Sequence, residues 1–189
     1  MEAFWISLWM IFVAELGDKS QLMALAFATR YRPWIVITGI TVATTVVHLM
    51  SVAIGGLIGT ALPTKAITIA AALAFFGFAI WTLRGDELSE EESAKATRAA
   101  GSALLAVTTA FFLSELGDKT MLATITLATH NGWVGTWIGS TVGMVAADAL
   151  AILVGALLGK SLPERFVRYG AAALFAVFGV LLLVDALAA

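Results

Sequence analysis

Two copies of the pentapeptide Glu-Leu-Gly-Asp-Lys stand one hundred residues apart in this chain, at Glu15–Lys19 and Glu115–Lys119, each inside a long apolar segment. No other feature limits the fold so strongly. Ionisable groups at such a depth are expensive in a bilayer and mark a functional site by default. Their duplication limits the topology as well, because half-sites carried by internal repeats meet at the interface between the repeats.

The 189 residues are 60% hydrophobic and 13% charged. Soluble domains carry about 25% charged residues, so the composition requires an integral membrane protein. Six segments reach the length of roughly 20 residues that a spanning helix needs. They are Ala3–Thr29, Trp34–Ala61, Lys65–Leu83, Ser102–Thr129, Trp133–Gly159 and Phe166–Leu187. Arg30-Tyr31-Arg32-Pro33, Pro63, His130-Asn131-Gly132 and Pro163 punctuate them. A cleavable signal peptide is not expected, because Met1-Glu2 offers no basic start and cleavage would remove the first motif. The absence of cysteine excludes disulfides, thiolate metal sites and cysteine nucleophiles. No basic stripe supports nucleic-acid binding.

Arg30, Arg32, Arg84, Lys95, Arg98, Lys160, Arg165 and Arg168 fall in the loops after the first, third and fifth spans, against Lys65 alone on the other face. The positive-inside rule then puts those loops in the cytoplasm of a cell inner (plasma) membrane, with both termini outside. Trp5, Trp34, Trp81, Trp133 and Trp137 lie near predicted span ends, where interfacial anchors belong. The polar stretch between the halves, with Asp86-Glu87-Leu88-Ser89-Glu90-Glu91-Glu92, reads as a solvated cytoplasmic linker, and Ser89 with Glu92 fits a capping box.

A shift of one hundred residues aligns the halves without a gap. Phe12 meets Phe112, Ser20 meets Thr120, Ala28-Thr29 meets Ala128-Thr129, and Gly39, Gly55 and Pro63 meet Gly139, Gly155 and Pro163. Three spans is an odd number, so the second copy must enter the membrane inverted. The expected fold is therefore all-α, six transmembrane helices as two inverted three-helix repeats, with residues 1–84 and 102–189 as the repeats and 85–101 as the acidic linker. Glu15 and Glu115 lie at similar depths from opposite faces, so both motifs should meet near the midplane.

On a helix, residues three and four apart share a face. Glu15 with Asp18, and Glu115 with Asp118, should project together, with Lys19 and Lys119 in reach of the glutamates as charge-compensating groups. Gly17 and Gly117 permit local unwinding or close helix approach at the same point. Ser20, Gln21 and Thr120 add neutral oxygens, which completes an all-oxygen set suited to a hard cation. Four carboxylates and two ammonium groups sum to −2, which one divalent cation would neutralise. Uptake of two protons would achieve the same without the metal, so proton uptake on metal release is expected. His48 and Asp148, at matching positions in the second and fifth spans, are candidate proton relays or extra ligands, with a hydrogen-bonded packing role as the alternative for His48. Met23 and Met121 flank the motifs and read as lipid-facing or packing residues, ahead of a soft thioether contact to the metal.

Both motifs match the E-x-G-D-[KR]-[TS] signature, and the chain resembles, over essentially its whole length, a family of cation/proton exchangers that includes bacterial manganese exporters and Golgi and thylakoid homologues. The resemblance implies export of Mn²⁺ from the cytosol in exchange for protons, with Ca²⁺ as a second substrate in some members. It also implies cation binding by Glu15, Asp18, Glu115 and Asp118. Met121 stands where Gln21 follows the first motif, so the half-sites differ in oxygen donors. A Ca²⁺/proton antiporter is the rival within the class, and a passive cation channel the rival outside it. An enzyme is not expected, since no nucleophile–base–oxyanion set accompanies the acids. No cofactor is expected beyond the transported ions, the partners are lipid and the metal ion, and a homo-oligomer stays open.

Overall fold

In a computed structural model of the chain, residues 1–61, 63–84, 102–158 and 164–188 are described. The acidic linker and the capping box at Ser89 lie outside them. Every regular element among the described residues is a helix. In chain order these are α1 (Glu2–Glu15), α2 (Lys19–Ala28), α3 (Pro33–Ala61), α4 (Thr64–Arg84), α5 (Ala103–Glu115), α6 (Lys119–His130), α7 (Trp133–Leu158) and α8 (Glu164–Ala188). Pro33–Ala61, Lys65–Arg84 and Trp133–Leu157 are long and apolar enough to cross a membrane. Leu57, Leu73, Leu157 and Leu187 lie exposed on the outside of the bundle, as suits a multi-pass protein solvated by lipid.

The first and fourth expected spans are not continuous helices. Each breaks at its motif, between α1 and α2 and between α5 and α6. The backbone turns because Leu16 and Leu116 leave the helical region, and Gly17 and Gly117 then adopt φ of 74° and 79°. Only glycine enters that left-handed region at little cost. Asp18 and Asp118 are the N-caps from which α2 and α6 restart. Neither side chain bonds its own helix as a cap, so both carboxylates are left to the site.

Nearly all of the extensive packing joins one half of the chain to the other. α1 and α2 pack on α7, as α5 and α6 pack on α3, while α3 meets α7 and α4 meets α8. Close approach depends on small residues, since helices in lipid associate through tight van der Waals contact. Gly135, Gly139 and Gly143 form a stripe on α7 against Ala3, Phe4, Leu8 and Phe12 of α1, where a Cβ would collide with the α1 backbone. Gly59 of α3 similarly lies against Thr129, the carbonyl oxygen of which would be 3.0 Å from an added Cβ. These contacts set Met1, the end of α3, the end of α6 and the start of α7 at one end of the bundle. Gly39 against Val107 sets the starts of α3 and α5 at the other.

Two apolar clusters fill the interior. One gathers Met23, Phe27, Val36, Ile40, Val107 and Phe111, with Phe27 near Phe111 and stacked on Tyr31. The other holds Met10, Ile11, Leu127 and Met144 against Phe75, Phe78 and Phe175, the rings that lock α4 to α8. The broken ends of α1, α2, α5 and α6 meet between these clusters.

Candidate functional site

The helix breaks supply the first part of the site. Each ends one helix in carbonyls and starts the next with N–H groups, so backbone dipoles converge on one buried volume. Gln21 closes the first break, its Oε1 accepting from the Gly17 N–H at 2.7 Å. Met121 does the same at the second, with its Sδ 3.2 Å from the Gly117 nitrogen. Gln21 also donates to the Ala147 carbonyl at 2.8 Å. Gln21 is thus committed to the backbone on both sides, a bracing role that Met121 fills in part.

The motif acids are almost wholly removed from the surface, with exposures of 0%, 3%, 1% and 3% for Glu15, Asp18, Glu115 and Asp118. Ligand oxygens of Glu15, Glu115 and Asp118 lie within 4.8 Å of one another. Ser20 donates to Glu15 Oε2 at 2.5 Å, and Thr120 to Glu115 Oε2 at 3.1 Å. Among the described residues, the second oxygen of each glutamate, Oε1, receives no hydrogen bond, nor does Asp118 Oδ2. Buried carboxylate oxygens left in this way are costly unless a cation or proton occupies the space they face.

The lysines depart from the expected local pairing. Because the chain turns at each glycine, Lys19 and Lys119 do not fold back along a continuous helix to their own glutamates. Each crosses to the aspartate of the other motif: Lys119 pairs with Asp18, and Lys19 Nζ lies 3.4 Å from Asp118 Oδ1. Two reciprocal ion pairs therefore tie the broken segments together. Glu15 and Asp18 share a site, but through this loop rather than through one helical face.

Asp148 joins the same cluster from α7. It is fully buried and interacts electrostatically with Asp18, Glu15 and Glu115. It lies against Ser20, whose hydroxyl proton is given to Glu15, and among the described residues neither Asp148 oxygen has a well-formed hydrogen bond. His48 is also buried, but its Nδ1 lies 3.2 Å from Thr141 Oγ1, and it makes no ion pair among the described residues. The structure thus brings Glu15, Asp18, Glu115, Asp118, Asp148, Ser20, Thr120 and both lysines together. Trp137 is no simple interfacial anchor either, since its indole N–H donates to the Thr45 carbonyl at 3.0 Å.

A carboxylate-rich, all-oxygen cluster inside an apolar helical bundle is the chemistry of a membrane protein that handles cations. The family follows from comparison. Residues 3–90 and 103–189 match the family described as divalent cation/proton antiporter GDT1, and the chain belongs to that family, which is one of transporters rather than enzymes. A Vibrio cholerae serotype O1 protein provisionally named a manganese exporter is 34% identical over 178 residues, covering 93% of this chain and 87% of the relative. The chloroplastic PAM71-homolog of Arabidopsis thaliana is 32% identical over 199 residues, covering 89% of this chain and 55% of its own. GDT1-like protein 3 of Oryza sativa subsp. japonica is 27% identical over 202 residues, covering 95% and 72% respectively. No solved structure matches the chain.

Proposed function

We propose that this protein exports Mn²⁺ from the cytosol in exchange for entering protons, as a six-span inverted repeat with both termini outside. The observation that carries the proposal is the convergence of Glu15, Glu115 and Asp118 oxygens within 4.8 Å in a buried volume. Glu15, Glu115, Asp18 and Asp118 bind the cation. Ser20 and Thr120 position the glutamates, and the lysines hold the site together when it is empty. The charge count supports antiport. With Asp148 included, five carboxylates and two lysines carry −3, so the loaded site reaches neutrality with one divalent cation and one proton, and the empty site with three protons. The difference is two protons per metal ion. The name of the Vibrio cholerae relative supports manganese as the cargo and export as the direction. The Lys and Arg distribution supports the orientation.

Purified protein in liposomes containing a pH-sensitive dye tests this reading. Addition of Mn²⁺ should drive protons in the opposite direction, and Asp18→Asn or Asp118→Asn should reduce the signal to that of empty vesicles. Metal movement without a proton signal, as a channel would give, refutes it. A stronger proton signal with Ca²⁺ than with Mn²⁺ would reassign the cargo.

A further inference from the structure

The two halves differ most in what lies between the carboxylates and each end of the bundle. Toward the Met1 end, buried hydroxyls follow one another outward from Glu115. Thr120 bonds Glu115, Thr124 stands one turn further along the same face of α6, and Thr124 Oγ1 donates to Ser140 Oγ at 3.2 Å. Thr136 lies one turn beyond Ser140 on α7. Ser7 belongs to the stretch of α1 that packs on Gly135 and Gly139, at the level of Thr136 and Ser140. Ser7, Thr124, Thr136 and Ser140 are all 0% exposed.

One hundred residues away, the equivalents of Ser7, Thr124, Thr136 and Ser140 are Val107, Ala24, Val36 and Ile40. All four belong to the apolar cluster of the opposite end, where the Phe111, Phe27 and Tyr31 rings lie together. There the hydroxyl series from Glu15 stops at Ser20.

These hydroxyls are unusual for helix interiors. Buried Ser and Thr in apolar helices ordinarily bond a carbonyl of their own preceding turn. Thr44 and Ser51 of α3 do so, donating to Ile40 at 2.9 Å and Val47 at 2.8 Å. Ser7 Oγ and Thr136 Oγ1 have no partner among the described residues. A fully buried hydroxyl without a protein partner calls for water.

We propose that Thr120, Thr124, Ser140, Thr136 and Ser7 line a narrow hydrated lane joining the carboxylate cluster to the Met1 end, with water and hydronium as its occupants. Its repeat-related counterpart is dry. The lane serves water and protons rather than the metal ion, because hydroxyls this completely buried leave no open passage for a hydrated cation. Placing its mouth outside rests on the proposed orientation. The lane itself does not depend on it.

The chain contains no cysteine, so single thiols can be introduced cleanly. Ser→Cys is nearly isosteric, which protects folding. S7C and S140C are compared with V107C and I40C, using Ag⁺ as a water-sized probe and a bulky methanethiosulfonate ammonium reagent. Reaction is read by mass spectrometry on membrane-embedded protein, as thiols protected from later maleimide labelling after denaturation. Ag⁺ should protect S7C and S140C about tenfold faster than V107C and I40C, since only the first pair borders water. The bulky reagent should reach none of the four. Equal Ag⁺ rates in the two pairs, or no reaction at S7C and S140C, overturn the lane. Rapid reaction of S140C with the bulky reagent overturns its narrowness. The readout needs no transport, so it stands apart from the liposome assay.

Discussion

The first and second motif loops have nearly the same backbone and different surroundings. Leu16 and Leu116 have φ, ψ of −62°, 123° and −65°, 114°, and the glycines that follow agree to within a few degrees. Around this shared turn, Lys119 is almost sealed while Lys19 keeps 14% of its side chain exposed. The position one turn into the restarted helix is Gln21 in one half and Met121 in the other. The carbonyl of Ala147 takes its side-chain hydrogen bond from Gln21, whereas the equivalent Val47 carbonyl takes one from Ser51. Ala151 stands where Ser51 has its counterpart. A loss on one helix is thus met by a gain on its neighbour. Backbone geometry is shared because the same turn must be made twice, while side chains diverge because each half faces a different end of the bundle.

The sharpest break in the comparison should come from the lysines. Removing one member of a fully buried ion pair costs about 3–5 kcal/mol, and the cost falls as solvent reaches the pair. Lys119→Met should therefore lower the thermal midpoint of the purified protein far more than Lys19→Met. Equal shifts would show that the two ion pairs are equivalent despite their exposure.

The 48/148 pair comes next. Asp148→Asn removes a buried carboxylate from the cluster and should slow metal-driven proton flux in liposomes about tenfold or more. His48→Gln keeps a hydrogen-bonding group toward Thr141 and should stay within about twofold of the parent. A larger loss for the His48 variant would move it into the transport machinery.

Gly17→Ala and Gly117→Ala should each destabilise by about 1–2 kcal/mol, because each forces a Cβ into the left-handed region. Here the halves should agree, which makes the pair an internal control for denaturation measurements. The smallest effect concerns the compensating swap. Gln21→Met should cost about 1 kcal/mol through the lost bond to Ala147, with Met121→Gln nearly neutral. Ala151→Ser in the Gln21→Met background should recover part of the loss, and a strictly additive double variant would disprove the coupling.

Much of the site was legible before any coordinates. The motif acids, Asp148, Ser20 and Thr120 could be chosen because charge within an apolar segment has few structural excuses, and because the repeat shows each residue twice. The glycines announced the breaks. Local pairing of lysine with glutamate was misleading, since periodicity presumes a continuous helix and the left-handed glycine cancels it. The buried hydroxyl series is not legible in the sequence for another reason. Ser7, Thr124, Thr136 and Ser140 are ordinary residues for a membrane helix, and only their burial, the missing partners of Ser7 and Thr136 among the described residues, and their apolar counterparts set them apart. The signal they carry in the sequence is the polar-to-apolar exchange between repeats at each position.

By itself the sequence determined that this chain lives in lipid, that its halves are duplicates, and which acids are the candidates for the site, because hydropathy and repeated charge are properties of residues in order. Tertiary structure decided which lysine answers which aspartate, which buried histidine stays apart from the carboxylates, and which end of the bundle is lined with hydroxyls. Those outcomes depend on helices far apart in the chain approaching within a few ångströms across small residues, and linear order carries no record of that approach.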